Sequence, residues 1–126
     1  MLETPLKPEA VEFAAVEVFP NQHRHRRYHI VSTCPEFTSV CPKTGLPDFG
    51  TITMDYVPDA HCIELKSYKY YLLSYRNVGI FYENVVNKIL DDMVALCQPH
   101  YMQVTGTFST RGGIHTPVTV EHGSPE

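Results

Sequence analysis

Cys41 and Asp48 stand seven residues apart in the segment Cys34-Pro-Glu-Phe-Thr-Ser-Val-Cys41-Pro-Lys-Thr-Gly-Leu-Pro-Asp48-Phe-Gly50. An ionised thiol is a nucleophile and a protonated carboxyl is an acid. Held on a fixed scaffold, the pair suits addition to an electrophilic carbon with protonation of the neighbouring atom. The prolines and glycines make the segment too irregular for a helix and too broken for a strand, so a fixed loop is expected over 34–50. These two residues alone leave open that Cys41 is a small buried hydrophobe and Asp48 a turn residue.

Further charged residues could support such chemistry. Lys66 and Lys69 are three apart in a segment of helical pattern and share a face near its start, where anions are favoured. Taken alone they are a solvated helix face. Glu64 ends a short extended piece, where a surface role is the ordinary one. Glu83 falls in the first turn of a second helical segment, where an acid interacts favourably with the helix dipole by about 0.3–1 kcal/mol. His115 reads as structural, as do Cys34, Cys62 and Cys97.

Composition narrows the class. With 126 residues, 43% apolar and 19% charged, the chain is sized for one globular domain over 1–126, with 1–27 as an N-terminal arm. Its net charge of −4 argues against nucleic-acid binding as the main activity, although His23-Arg-His-Arg-Arg27 is a local basic run. The start, Met1-Leu-Glu-Thr-Pro5, lacks a basic segment followed by an apolar one, and no apolar run approaches a membrane span. A cytoplasmic protein with free thiols is therefore expected. No CxxC pair occurs, and His23-x-His25 is the one HxH, so no metal is expected. The absence of GxGxxG excludes a Rossmann site for a dinucleotide.

The elements that must position these residues follow from periodicity. Strands are expected at Tyr28–Thr33 and at Thr51–Tyr56, where polar and apolar residues alternate. Val57-Pro-Asp59 turns the chain, and Cys62–Leu65 is a short extended piece. One helix is expected from Lys66 to about Tyr75, with Gly79 as its natural stop. A second is expected from about Ile80 to Cys97, with Tyr82, Val86, Ile89, Met93 and Leu96 on one apolar face. Strands at Tyr101–Phe108 and Ile114–His122 complete the chain, Pro117 marking an edge or bulge. The order ββααββ predicts an α+β unit: an antiparallel four-stranded sheet with helices on one side. Its two open edges make oligomerisation a physical expectation.

The Cys34–Asp48 segment, together with Ile63-Glu-Leu-Lys-Ser-Tyr-Lys-Tyr-Tyr71, Arg76-Asn-Val-Gly-Ile-Phe-Tyr-Glu83 and Arg111-Gly-Gly-Ile114, resembles the short-form nitrile reductases of queuosine biosynthesis. These are the NADPH-dependent 7-cyano-7-deazaguanine reductases, and the likeness covers about residues 28–122. The resemblance implies a tunnelling fold that closes into a ring barrel, two pentamers stacking as a decamer, with substrate sites between neighbouring subunits. It implies Cys41 as nucleophile through a thioimide and Asp48 as acid. Ile63, Glu64, Leu65, Tyr82 and Glu83 would face the deazapurine nitrile, Glu83 accepting two N–H bonds from its guanine-like edge. Lys66 and Lys69 would hold the phosphates of NADPH, consumed twice per turnover. Members often carry His-Glu where this chain has Tyr82-Glu83; a tyrosine can donate a hydrogen bond or pack on a base.

Three rivals remain at the level of sequence. A related amidinotransferase adds ammonia to the same nitrile on tRNA, and the Lys66/Lys69 motif favours the reductase because only reduction needs a hydride donor. A pterin-type tunnelling-fold enzyme would need zinc-binding histidines. A non-catalytic RNA-binding module would use the basic run, against the acidic net charge.

Overall fold

A computed structural model describes residues 4–126. The chain runs through β1 (Val18–Pro20), β2 (Ile30–Val40), β3 (Pro47–Val57), β4 (His61–Ile63), α1 (Leu65–Leu73), α2 (Tyr82–Cys97), β5 (Tyr101–Phe108) and β6 (Pro117–Gly123), with a short 3-10 turn at Pro8–Ala10. The main sheet is antiparallel in the order β2-β3-β5-β6, and β1 pairs with β4 in a separate two-stranded ribbon. The expected ββααββ order and antiparallel α+β class therefore hold.

The period-2 pattern gives each strand a dry face and a wet face. On β3, Ile52, Met54 and Tyr56 are buried, and opposite them on β5 lie Gly106, Val104 and Met102. Val85, Val86, Ile89 and Met93 of α2, all fully buried, cover that face, while Tyr68, Tyr71 and Leu72 of α1 extend the same core. The other face carries Thr33, Thr51, Thr53, Thr105, Thr107 and Thr119, whose β-branched polar side chains suit a wet pleat. A buried polar link joins the helices: Tyr71 Oη donates to Asp92 Oδ2 at 2.6 Å, and Lys88 Nζ lies 3.1 Å from the same oxygen.

The structure corrects several boundaries. The expected loop over 34–50 is largely a hairpin, because β2 continues to Val40 and β3 begins at Pro47. Pro35 is accommodated by a bulge between Cys34 and Phe37 on an edge strand, where a missing N–H costs no ladder bond. The first helix begins at Leu65 and ends at Leu73, after which Tyr75, Arg76 and Val78 each donate to the carbonyl three residues back. Gly79 is not a helix cap; it bridges Val40 of β2. The last strand starts at Pro117 rather than Ile114, and α2 starts at Tyr82 rather than Ile80. Of the expected arm, Met1–Glu3 lie outside the described residues, and β1 is its paired portion.

Gly106 sits directly against Val86 of α2. A Cβ there would fall 2.6 Å from Val86 Cγ2 and 2.8 Å from Phe108 Cε2. Gly106→Ala is expected to destabilise the fold by about 1–3 kcal/mol through overpacking. Urea unfolding should show a lower midpoint at unchanged slope; an unchanged midpoint would mean that the helix yields freely.

Candidate functional site

The β2–β3 hairpin places the thiol and the carboxyl. Ser39 and Asp48 are direct cross-strand partners, so their side chains share the core face, and Cys41 follows Ser39 by two residues. The turn is closed by Cys41 N–H donating to the Leu46 carbonyl at 2.9 Å and Gly45 N–H donating to the Cys41 carbonyl at 2.8 Å. Gly45 adopts φ 72°, a left-handed conformation that favours glycine. Behind the turn, Val40 exchanges backbone bonds with the segment between the helices, accepting from Ile80 N–H at 3.1 Å and donating to the Val78 carbonyl at 2.9 Å. The Cys41 turn is thus tied to the chain that leads into α2.

Local donors act on Cys41. The Thr44 hydroxyl, followed by the backbone N–H groups of Thr44 and Lys43, lowers its thiol pKa; burial and the charge of Asp48 oppose them without prevailing. Thr44 Oγ1 itself accepts from Leu46 N–H at 3.2 Å, which aligns the hydroxyl within the turn. Cys41 is also half-exposed, as a working nucleophile must be. In contrast Cys97 is buried and its thiol is pushed up to about 12, which suits a structural role.

Asp48 is 6% exposed and is held by two side chains. Tyr82, the first residue of α2, donates its hydroxyl to Asp48 Oδ1 at 3.1 Å. Arg111, in the turn between β5 and β6, brings Nη2 to the same oxygen at 2.9 Å and also donates to the Pro47 carbonyl. Among the described residues no hydrogen bond reaches Oδ2. Ser39 Oγ is fully buried with no partner among the described residues, an unspent donor on the Asp48 side of the hairpin.

The structure brings together Cys41, Asp48 and Tyr82, with Glu83 next to Tyr82 and exposed. Ile63, Glu64, Leu65, Lys66 and Lys69 lie instead at the β4–α1 junction. Glu64 is the N-cap of α1: its two carboxylate oxygens accept from Lys66 N–H at 2.6 Å and Ser67 N–H at 2.9 Å, and these bonds lower its pKa. The helix end is therefore not a free anion site, and any phosphate there must be met by the lysine side chains. Both lysines are exposed, and Lys69 borders a cleft of about 760 Å³ between α1 and the edge strand β2. His115, expected to be structural, is exposed in this chain.

Sequence reasoning assigned no role to Arg111. Its signal was the Arg111-Gly-Gly113 turn, whose two glycines take φ 57° and 81° and fold the chain back so that the guanidinium reaches β3. Thr44 was missed for a similar reason, since its function depends on turn geometry.

Thr44→Val should raise the Cys41 thiol pKa toward the ordinary cysteine value. Alkylation of Cys41 by iodoacetamide, followed by mass spectrometry, should slow several-fold near pH 7 and match the parent at strongly alkaline pH. Equal rates at both pH values would show that the backbone donors suffice.

Comparison with known proteins places this geometry in a lineage. The family model described as "QueF-like protein" matches residues 47–126. A curated relative from Chlorobaculum tepidum, named NADPH-dependent 7-cyano-7-deazaguanine reductase, is 62% identical over 107 residues, covering 85% of this chain and 92% of the relative. A relative of the same name from Chloroherpeton thalassium is 56% identical, covering 93% and 97%. Among solved structures, an archaeosine synthase QueF-Like in the apo form superposes with a TM-score of 0.68 at 24% identity, covering 78% of this chain and 94% of that one. That likeness carries the fold alone. The family model and the extent of the curated matches establish that the chain belongs to the QueF-like protein family.

Proposed function

We propose that this chain reduces the nitrile of 7-cyano-7-deazaguanine to the aminomethyl group with NADPH, through a covalent thioimide on Cys41. The reductase activity follows from curated relatives at 56–62% identity that carry that name over most of this chain's length. The observation supporting the covalent route is the half-exposed Cys41, its thiol pKa lowered by the turn and its side chain close enough to Asp48 to feel that carboxylate's charge.

The chemistry follows from the residues. Cys41 gives its thiol proton to the Asp48 carboxylate as Sγ adds to the nitrile carbon, one C–N π bond breaks, and Asp48 passes that proton to the nitrogen. The resulting thioimide carbon is a better hydride acceptor than the nitrile carbon. NADPH would supply hydride at that carbon and, in a second round, at the imine carbon, the nitrogen then taking a proton from solvent to give the amine. Between the rounds the C–S bond breaks and Cys41 leaves as thiolate, which the turn donors stabilise. Glu83, exposed beside Tyr82, accepts two N–H bonds from the guanine-like edge in charge-assisted geometry. Ile63, Glu64 and Leu65 line the base from the β4–α1 junction, Glu64 through its backbone because its carboxylate already caps α1. Lys66 and Lys69 meet the phosphates of NADPH as point charges.

Residues divided between the β2–β3 hairpin and the β4–α1 junction suggest sites shared by subunits. The sheet edges β2 and β6 carry no further strand among the described residues. Val31, Leu65 and Leu73 are exposed along the cleft beside β2, so a second copy adding its edge there would cover both the free backbone and the apolar side chains. A ring of five such copies, stacked in pairs as a decamer, is the assembly proposed. No helix is long and apolar enough to cross a membrane among the described residues, and a cytoplasmic site of action suits a tRNA-modification enzyme.

Mixing protein, nitrile and NADPH should oxidise two NADPH per nitrile, and without NADPH the intact protein should gain the mass of one substrate. Cys41→Ala should lose that adduct and Cys34→Ala keep it; an adduct surviving in Cys41→Ala would sink the assignment. Asp48→Asn should lower turnover by about 10²–10⁴-fold. Lack of NADPH oxidation, with amidine appearing when ammonia is supplied, is the result expected of the amidinotransferase.

Lys66→Ala and Lys69→Ala should raise the Michaelis constant for NADPH and leave adduct formation intact. Loss of the adduct at unchanged NADPH dependence would place these lysines on the substrate side.

A further inference from the structure

Two glycines on the core face create the seat for a stack of aromatic rings. Gly50 of β3 is the direct cross-strand partner of Phe108, and Gly106 precedes Phe108 by two residues on the same face of β5. A Cβ at Gly50 would lie 2.8 Å from Phe108 Cδ1, and one at Gly106 would lie 2.8 Å from Phe108 Cε2. The Phe108 ring therefore occupies space that ordinary side chains at both positions would fill, and it is 2% exposed. Upon it lies the Tyr82 ring, with centroids 3.9 Å apart and planes within 3°. A phenol held flat at the first residue of α2 has little freedom, and its hydroxyl reaches Asp48 Oδ1 at 3.1 Å.

Arg111, in the turn that follows β5, reaches the same oxygen, its guanidinium fixed by the Pro47 carbonyl next to Asp48. Both donors converge on Oδ1, and neither touches Oδ2. Burial and the Asp48 charge raise the Tyr82 pKa, so the phenol stays protonated and remains a donor across the working pH range.

We infer that Tyr82 is a positioning residue: stacked on Phe108, it fixes the Asp48 carboxyl together with Arg111 through Oδ1, leaving Oδ2 as the oxygen that carries the proton to the nitrile nitrogen. The inference rests on the reading of Asp48 as the acid and revises the expectation that Tyr82 serves by contact with the substrate. The seat, the stack and the hydrogen bond form one line, from Gly50 and Gly106 through Phe108 and Tyr82 to Asp48. The flat ring-on-ring packing accounts for an aromatic side chain at 82, and the hydrogen bond accounts for its hydroxyl.

The test is a double-mutant cycle on the full chain, with parent, Tyr82→Phe, Asp48→Asn and the double variant, plus Tyr82→His. Rates of adduct formation and turnover are read alongside the NADPH Michaelis constant, nitrile affinity by calorimetry and the melting temperature. Tyr82→Phe keeps the stack and deletes one bond to a charged group, so adduct formation and turnover should fall about 10-fold. Nitrile affinity, NADPH dependence and melting should stay near the parent's. In the Asp48→Asn background the same substitution should have no further effect, because the bond acts only through that carboxyl. Tyr82→His retains a ring N–H and should recover part of the rate. Tyr82→Phe at the parent rate, with Asp48→Asn inactive, overturns the inference alone. An equal loss in both backgrounds overturns it too, assigning Tyr82 to the substrate or the fold. Asp48→Asn at the parent rate removes the acid itself and, with it, both this inference and the acid assignment.

Discussion

Closure of the β2–β3 hairpin is the constraint on which the rest of the site depends. Antiparallel pairing sets Ser39 opposite Asp48, and the six-residue turn from Cys41 to Leu46 then leaves the thiol little choice of position. A one-residue slip in this ladder would turn Asp48 to the wet face, away from Tyr82. The bulge at Pro35 and Glu36 fixes the register on the other side: Cys34 pairs with Ile52, yet Phe37 pairs with Gly50. β2 is thereby pinned at its middle and at its hairpin end, and Val40 is further tied to the segment entering α2. Cys41 follows directly on the tied end of an otherwise open edge strand.

Within that frame a thiol with a lowered pKa and a negatively charged carboxylate share one hairpin. The carboxylate of Asp48 acts to raise the Cys41 pKa, as a neighbouring negative charge must. The donors of the turn, Thr44 first, outweigh it, so the net effect on the thiol is a lowered pKa. Asp48 in turn is satisfied by Arg111 and Tyr82, which lie in different elements from the turn that holds Cys41. The two groups stay coupled through charge, yet each is held by its own set of contacts.

Much of this was legible in the sequence. The α2 face, the β5 strand and the ββααββ order all follow from periodicity, because each buries one clear stripe. The hairpin was misread because Pro35, Pro47 and the glycines carry the composition of a loop, and only the edge position of β2 makes a proline tolerable there. Glu64 illustrates a different limit. An acid before a helix can face a ligand or cap the helix, and here the carboxylate is engaged by two backbone N–H groups. Arg111 was quoted within a motif without a role, since nothing local predicts that a turn after β5 reaches back to Pro47 and Asp48, 63 residues earlier in the case of Asp48. Contacts between distant segments are what a local pattern leaves out.

The remaining distant contacts point outward from the chain. Tyr68 Oη is buried and unpartnered among the described residues, and it lines the same cleft as Cys34, Lys69 and the exposed Leu65 and Leu73. A buried hydroxyl without a partner costs about 1–3 kcal/mol, so a fold that keeps one benefits from a group that can satisfy it. In the proposed ring the neighbouring edge strand would bring backbone donors and acceptors to this side of β2 while covering the apolar rim. The same closure would draw the β4–α1 junction of one subunit toward the chemistry of another, with Lys66 and Lys69 beside a thiol that their own chain does not bring near them. On this view the open edge and the divided site have one origin: the hairpin supplies the reacting groups, and assembly supplies the surface that recognises what they react with.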